Sequence, residues 1–149
     1  MDHAMKAAEL FLEGYNCAQS VAMAFSDVTG LEEKTAARMV SGFGGGMGRL
    51  REVCGAVSGM FFVLSWLYGY DSPDDVAKKR VYTDVQVLAE KFREENGSII
   101  CREILDNPPS DPNPSPRTAE YYKLRPCARM VYTAAQLMDA YIEAHPLEG

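Results

Sequence analysis

Apolar residues in this chain recur three and four positions apart, segment after segment, and nowhere alternate as a half-buried strand requires. Ala4, Ala8, Phe11 and Leu12 form one such stripe between Asp2 and Glu13, with Gly14 placed to end it. Val21, Phe25 and Val28 continue from an N-cap at Asn16 to a stop at Gly30. A third helix is expected from Glu32 to Val40, burying Ala36, Met39 and Val40. A fourth is expected over Leu50–Tyr68, with Cys54, Val57, Phe61, Leu64 and Tyr68 on one face.

Ser72, Pro73, Asp74 and Asp75 make a strong start for a long fifth helix. Its stripe of Ala77, Val81, Val85, Leu88 and Phe92 reaches about Glu95, where Asn96 and Gly97 terminate it. Ser98 caps a short helix over Ile99–Leu105. A turn over Thr118–Leu124 precedes a last helix that Pro126 opens and that carries Met130, Ala134, Leu137 and Tyr141. With no internal repeat and no heptad series, these stripes predict an all-α fold, an irregular multi-helix bundle. The 149 residues fit a single domain, 1–149, with a Pro-rich loop at about 106–117. That segment, DNPPSDPNPSPR, is unusable by a regular element and reads as a surface linker; the competing role is a docking loop or lid.

Charge narrows the function. A formal charge of -6 repels phosphate backbones and anionic lipid, which argues against nucleic acid and membrane surfaces as partners. No run approaches the ~18 apolar residues of a membrane span, and Asp2 and Glu9 interrupt the N-terminal region where a secretory signal would be apolar. The expected location is cytoplasmic. His3 and His145, near the two ends, read as solvated surface residues, so a Cys–His catalytic pair is not expected. Trp66 and the tyrosines read as core or rim.

Four cysteines remain, and in a reducing compartment permanent disulfides do not explain them. Cys17, Cys54, Cys101 and Cys127 each fall in the first turn or so of a different expected helix. There the unpaired N–H groups and the helix dipole favour thiolate. Arg49 and Arg51 lie near Cys54 in sequence, and Arg102, Arg125 and Arg129 flank the last two cysteines. The intervals hold 36, 46 and 25 residues, so no pair forms the C-x-x-C knuckle of a zinc ribbon or a thioredoxin-type motif. Distant thiols can still meet as a dithiol–disulfide couple, and four converging thiolates can hold an iron–sulfur cluster. Before Cys54 stands the glycine cluster Gly42, Gly44, Gly45, Gly46 and Gly48, which fails as a dinucleotide fingerprint because Met47 occupies the place of the third glycine. Gly55 and Gly59, four apart, let a neighbouring backbone or a bound cofactor approach closely.

The early Cys17, the run Cys54-Gly55-Ala56-Val57-Ser58-Gly59 after the glycine cluster, then Cys101 and Cys127, resemble the pattern of the C_GCAxxG_C_C family over nearly the whole chain. One position departs from the family label: Val53, not glycine, precedes the central cysteine. The resemblance implies redox work by the four cysteines, with no established substrate. A related helical module in a type of cytochrome uses four cysteines to hold a [2Fe–2S] cluster, which implies the same set as metal ligands in an alternative reading.

Three functions follow as expectations. The first is thiol–disulfide chemistry or electron transfer by Cys17, Cys54, Cys101 and Cys127 with an unidentified redox partner, Cys54 being the attacking thiolate. The second is a [2Fe–2S] cluster or other metal on the same sulfurs. The third is a helical interaction module in which the cysteines only pack. Neither the oligomeric state nor the need for any cofactor follows from the residues.

Overall fold

The computed structural model describes residues 2–147, without the side chains of Lys123 and Leu124. Its elements run α1 (His3–Leu12), α2 (Cys17–Ala24), α3 (Ser26–Thr29), α4 (Glu33–Met39), a 3₁₀ turn (Ser41–Phe43) and α5 (Gly44–Met47). There follow α6 (Gly55–Tyr68), α7 (Asp75–Asn96), α8 (Cys101–Ile104), α9 (Ala119–Leu124) and α10 (Cys127–Ala144). The described residues contain no strand; the single antiparallel bridge joins Val53 to Ile100. The fold is all-α, as the periodicity predicts.

Local chemistry sets the helix starts. The Asp2 carboxylate accepts from the Met5 amide, and Asn16 forms a reciprocal capping box with Gln19. Asp74, not Ser72, caps α7 by accepting from the amides of Val76 and Ala77, because a carboxylate directly before the helix outcompetes a hydroxyl two residues earlier. The expected second helix breaks at Phe25, whose φ and ψ of -98° and 16° leave the helical well, so α3 forms a separate turn ended by Gly30. Met39 is exposed, correcting its expected burial, while Ala36 and Val40 hold the core side of that segment.

Phe11, Phe25, Met23, Met60, Leu64 and Met130 are among the side chains fully withdrawn from water, each worth about 1.5–3 kcal/mol of burial. At the centre α2 lies against α6, and Gly59 makes that contact possible. A Cβ there would stand 2.8 Å from the Ala18 carbonyl oxygen and 3.0 Å from the Val21 Cβ. α10 lies along α1 and reaches α2, α6 and α7, closing the bundle with the end of the chain. No helix among the described residues is long and apolar enough to cross a membrane.

His3 departs from expectation. It is only 8% exposed, stacked on Phe25 with ring centroids 4.3 Å apart. Its Nδ1 lies 2.7 Å from the Asp139 carboxylate on α10, and its Nε2 lies 2.9 Å from that of Asp27 on α3. A residue read as solvated surface instead joins three elements, since two carboxylates supply the partners that burial of an imidazole requires. His145 is exposed, as expected, and stacks on Tyr141.

Candidate functional site

One cavity of about 420 Å³ is lined by all four cysteines. Cys17 is the first residue of α2, Cys101 of α8 and Cys127 of α10, while Cys54 is the N-cap of α6. The segment before Cys54 is not helical, correcting the expected start at Leu50. There Val53 bridges Ile100, the Cys54 amide donates to the Ile99 carbonyl at 2.7 Å, and the Cys101 amide donates to the Glu52 carbonyl at 2.6 Å. That pairing ties the starts of α6 and α8 together, with Cys54 and Cys101 placed diagonally across the Val53–Ile100 bridge.

The glycine cluster builds the rest of the wall. Gly45 and Gly46 adopt φ of 65° and 71°, and Met47, Gly48 and Arg49 continue in the left-handed region at 68°, 56° and 66°. Such a turn is nearly free for glycine but costs other residues roughly 1–2 kcal/mol each. The turn is paid for by proximity: a Cβ on Gly46 would meet the Cys101 Cβ at 2.7 Å and the Glu52 nitrogen at 2.8 Å, and one on Gly44 would meet Asn16 at 2.5 Å. Gly55 sits on the cavity wall, its Cα facing Cys17 so closely that a Cβ would stand 3.1 Å from the cysteine Cβ. Gly59, one turn further, is not among the lining residues; it serves the contact between α2 and α6.

The Pro-rich segment is part of the wall as well. Pro112, Pro114, Ser115 and Arg117 line the cavity, so the reading of a plain surface linker gives way to a strap over the site. Arginines hold it down. Arg49 donates from Nε to the Asp111 carbonyl at 2.8 Å and from Nη1 to the Ser115 hydroxyl at 2.9 Å, and Arg51 donates from Nε to the Pro109 carbonyl at 2.9 Å. At the strap's far end Arg117 donates to the carbonyls of Phe11 and Tyr15 and lies 4.3 Å over the Phe11 ring. Nothing in the spacing of these arginines marks them. They become legible only once the turn and the strap face each other.

Electrostatics separate the sulfurs. Burial pushes the Cys54 thiol up to about 12, outweighing the pull of the Ala56 and Val57 amides at the helix start. Cys17 is raised well above its ordinary range, first by hydrogen bonding with the neighbouring Cys127 sulfur and then by burial. Cys101 is raised by burial against the opposing pull of Arg51, whose Nη1 lies 3.6 Å from its sulfur. Cys127 alone is lowered. The Cys17 thiol is the first cause, and the charges of Arg125, Arg117 and Arg51 reinforce it against burial. Arg51 turns its charge on Cys101 and Cys127, whereas burial dominates at Cys54, the sulfur expected from the sequence to be the attacking thiolate.

Among the described residues, no three side chains of His, Cys, Asp or Glu are placed to hold a single metal ion. No curated protein and no solved structure shows significant similarity to the chain. A family model described as "Putative redox-active protein (C_GCAxxG_C_C)" matches residues 15–141, which includes all four cysteines and the glycine turn. With most of its length inside that match, the chain belongs to the C_GCAxxG_C_C family.

Proposed function

We propose that the protein transfers electrons as a dithiol–disulfide couple in which Cys127 is the attacking thiolate and Cys17 the resolving thiol. The observation that carries this reading is the placing of Cys17 and Cys127 on one cavity wall, with the charges of Arg125, Arg117 and Arg51 favouring thiolate at Cys127. The thiolate is the nucleophile in such exchange, so the lowered member attacks first. Cys127 attacks one sulfur of a partner disulfide and expels the other as thiolate. Cys17 then loses its proton, attacks the Cys127 sulfur and releases the partner's second thiol. Two electrons pass from the pair to the partner. Cys54 and Cys101, on the same wall, are the thiols to which the disulfide can be relayed.

Convergence of four cysteine-bearing helix starts on one cavity also supports a second reading. Cys17, Cys54, Cys101 and Cys127 would then hold a [2Fe–2S] cluster, which supplies one-electron transfer. Helix-start amides and the arginines would balance its negative charge. Gly55, lacking a side chain, would leave space beside it. A single metal ion is not supported, since no three ligands are placed for one.

Protein purified without oxygen tests both readings. Brief alkylation at neutral pH, read by mass spectrometry, is expected to label Cys127 first and Cys54 last, and mild oxidation is expected to remove Cys17 and Cys127 together from the labelled set. Labelling of Cys54 first, or four thiols unchanged by oxidation, would sink the dithiol reading. A visible absorption band with two irons per chain establishes the cluster instead.

A further inference from the structure

The chain carries a net charge of -6, yet among the described residues the cavity wall includes Arg49, Arg51, Arg117 and Arg125 and not one carboxylate. Two of these cations are committed to the strap and to α1 through the hydrogen bonds described above. The other two are not fully used. Arg51 is 3% exposed, and while its Nε and Nη1 meet the Pro109 carbonyl and the Cys101 sulfur, its Nη2 has no hydrogen-bond partner among the described residues. A buried guanidinium nitrogen left unpaired costs more than a net hydrogen bond returns, so an acceptor reaching it from the cavity would relieve that cost. Arg125 lies 5.1 Å over the Tyr121 ring, and the wall it shares with the Cys127 sulfur offers it no carboxylate among the described residues. The charges of both arginines favour thiolate at Cys127, the attacking sulfur of the dithiol reading. Ile104, Leu105 and Met130 give the cavity an apolar side.

We infer that the cavity binds a small organic anion, a carboxylate on a short apolar stem, with the carboxylate held by Arg51 and Arg125. This site stands on charge and burial alone. Joined to the dithiol reading, on which the next step rests, it names the substrate class as a small disulfide bearing a carboxylate. The stem lies along the apolar side, and the sulfur is presented to Cys127. For 3,3′-dithiodipropionate the Cys127 thiolate would displace one 3-mercaptopropionate. The Cys17 thiol would then give up its proton and displace the second, leaving one protein disulfide and two released thiols.

Suberate, the carbon isostere of that disulfide, has no sulfur and isolates the anion site. Titration calorimetry on the reduced, full-length protein is expected to show suberate binding, weakened about tenfold or more by Arg125→Gln and restored in part by Arg125→Lys, as loss and return of a charge-assisted hydrogen bond require. Absence of binding at millimolar suberate, or binding indifferent to Arg125→Gln, overturns the inference. In a second arm, oxidation of the protein by 3,3′-dithiodipropionate, bis(2-hydroxyethyl) disulfide and cystamine is compared, each rate divided by that of a small free thiol. The dicarboxylate is expected to lead by about tenfold, with suberate competing, and equal ratios for all three overturn the substrate class. Suberate binding without any exchange upholds the anion site and overturns the dithiol reading, so the two fail separately.

Discussion

Replacing Gly46 by alanine tests the architecture of the site at its tightest point. Two costs add. The residue's φ of 71° lies in the left-handed region, which penalises an alanine by roughly 1–2 kcal/mol. The new Cβ would also stand 2.7 Å from the Cys101 Cβ, 2.8 Å from the Glu52 nitrogen and 2.9 Å from the Arg51 Cα, and two of these neighbours are backbone held by the pairing between residues 51–53 and 99–102. Overpacking of this kind costs about 1–3 kcal/mol. Gly46→Ala is thus expected to destabilise the fold by about 2–5 kcal/mol. Gly97→Ala is the control, because its φ of 85° carries the same conformational penalty while nothing lies within 4 Å of the added carbon. Urea unfolding of both variants, with m held common, gives the difference directly. Gly46→Ala should lose at least ~1 kcal/mol more than Gly97→Ala. Equal midpoints would refute the claim that the glycine turn is packed against the Cys101 segment.

Three further outcomes follow from contacts already described. His3→Ala should cost about 1–3 kcal/mol, read by urea unfolding, because it removes the Phe25 stack and the ring that Asp27 and Asp139 share as a hydrogen-bond partner; a loss below ~0.3 kcal/mol would show the cluster to be idle. Stability should fall as pH rises from about 9 towards 12, since the Cys54 thiol is raised in the folded protein and its contribution, complete below the unfolded thiol's range, disappears as the folded group ionises; its share of the slope is at most about 1.4 kcal/mol per pH unit, and Cys54→Ala should lessen the slope in chemical unfolding at pH 8, 9.5 and 11, leaving the part due to the raised thiols of Cys17 and Cys101. Gly59→Ala should destabilise by about 1–3 kcal/mol despite the higher helix propensity of alanine, because its Cβ would press on the Ala18 carbonyl; a gain in thermal midpoint would refute the close approach of α2 and α6.

The helices were legible because many announce themselves locally: Asn16 is a cap read from side-chain chemistry, and Gly30 and Gly97 are stops read from backbone freedom. So was the placement of the four cysteines at helix starts. The misjudged features were relations between distant segments. His3 looked like a terminal surface residue because its partners, Asp27 and Asp139, lie 24 and 136 positions away. The Pro-rich segment looked like a linker because its anchors, Arg49 and Arg51, belong to a turn whose left-handed path is decided by packing. Residues 50–53 looked helical because their extended course exists only through pairing with residues 99–102. The order of thiol reactivity was hidden for the same reason: sequence proximity put Arg51 beside Cys54, whereas the fold aims it at Cys101.

The neighbouring sulfurs of α2 and α10 belong to opposite ends of the chain. A covalent link between Cys17 and Cys127 would close a ring of roughly 110 residues, and cross-links of that span restrict the unfolded chain enough to contribute about 4–5 kcal/mol in the loop-entropy account. Oxidation state and resistance to unfolding would then rise and fall together. Reducing conditions in the surroundings would be written into how readily the whole molecule comes apart.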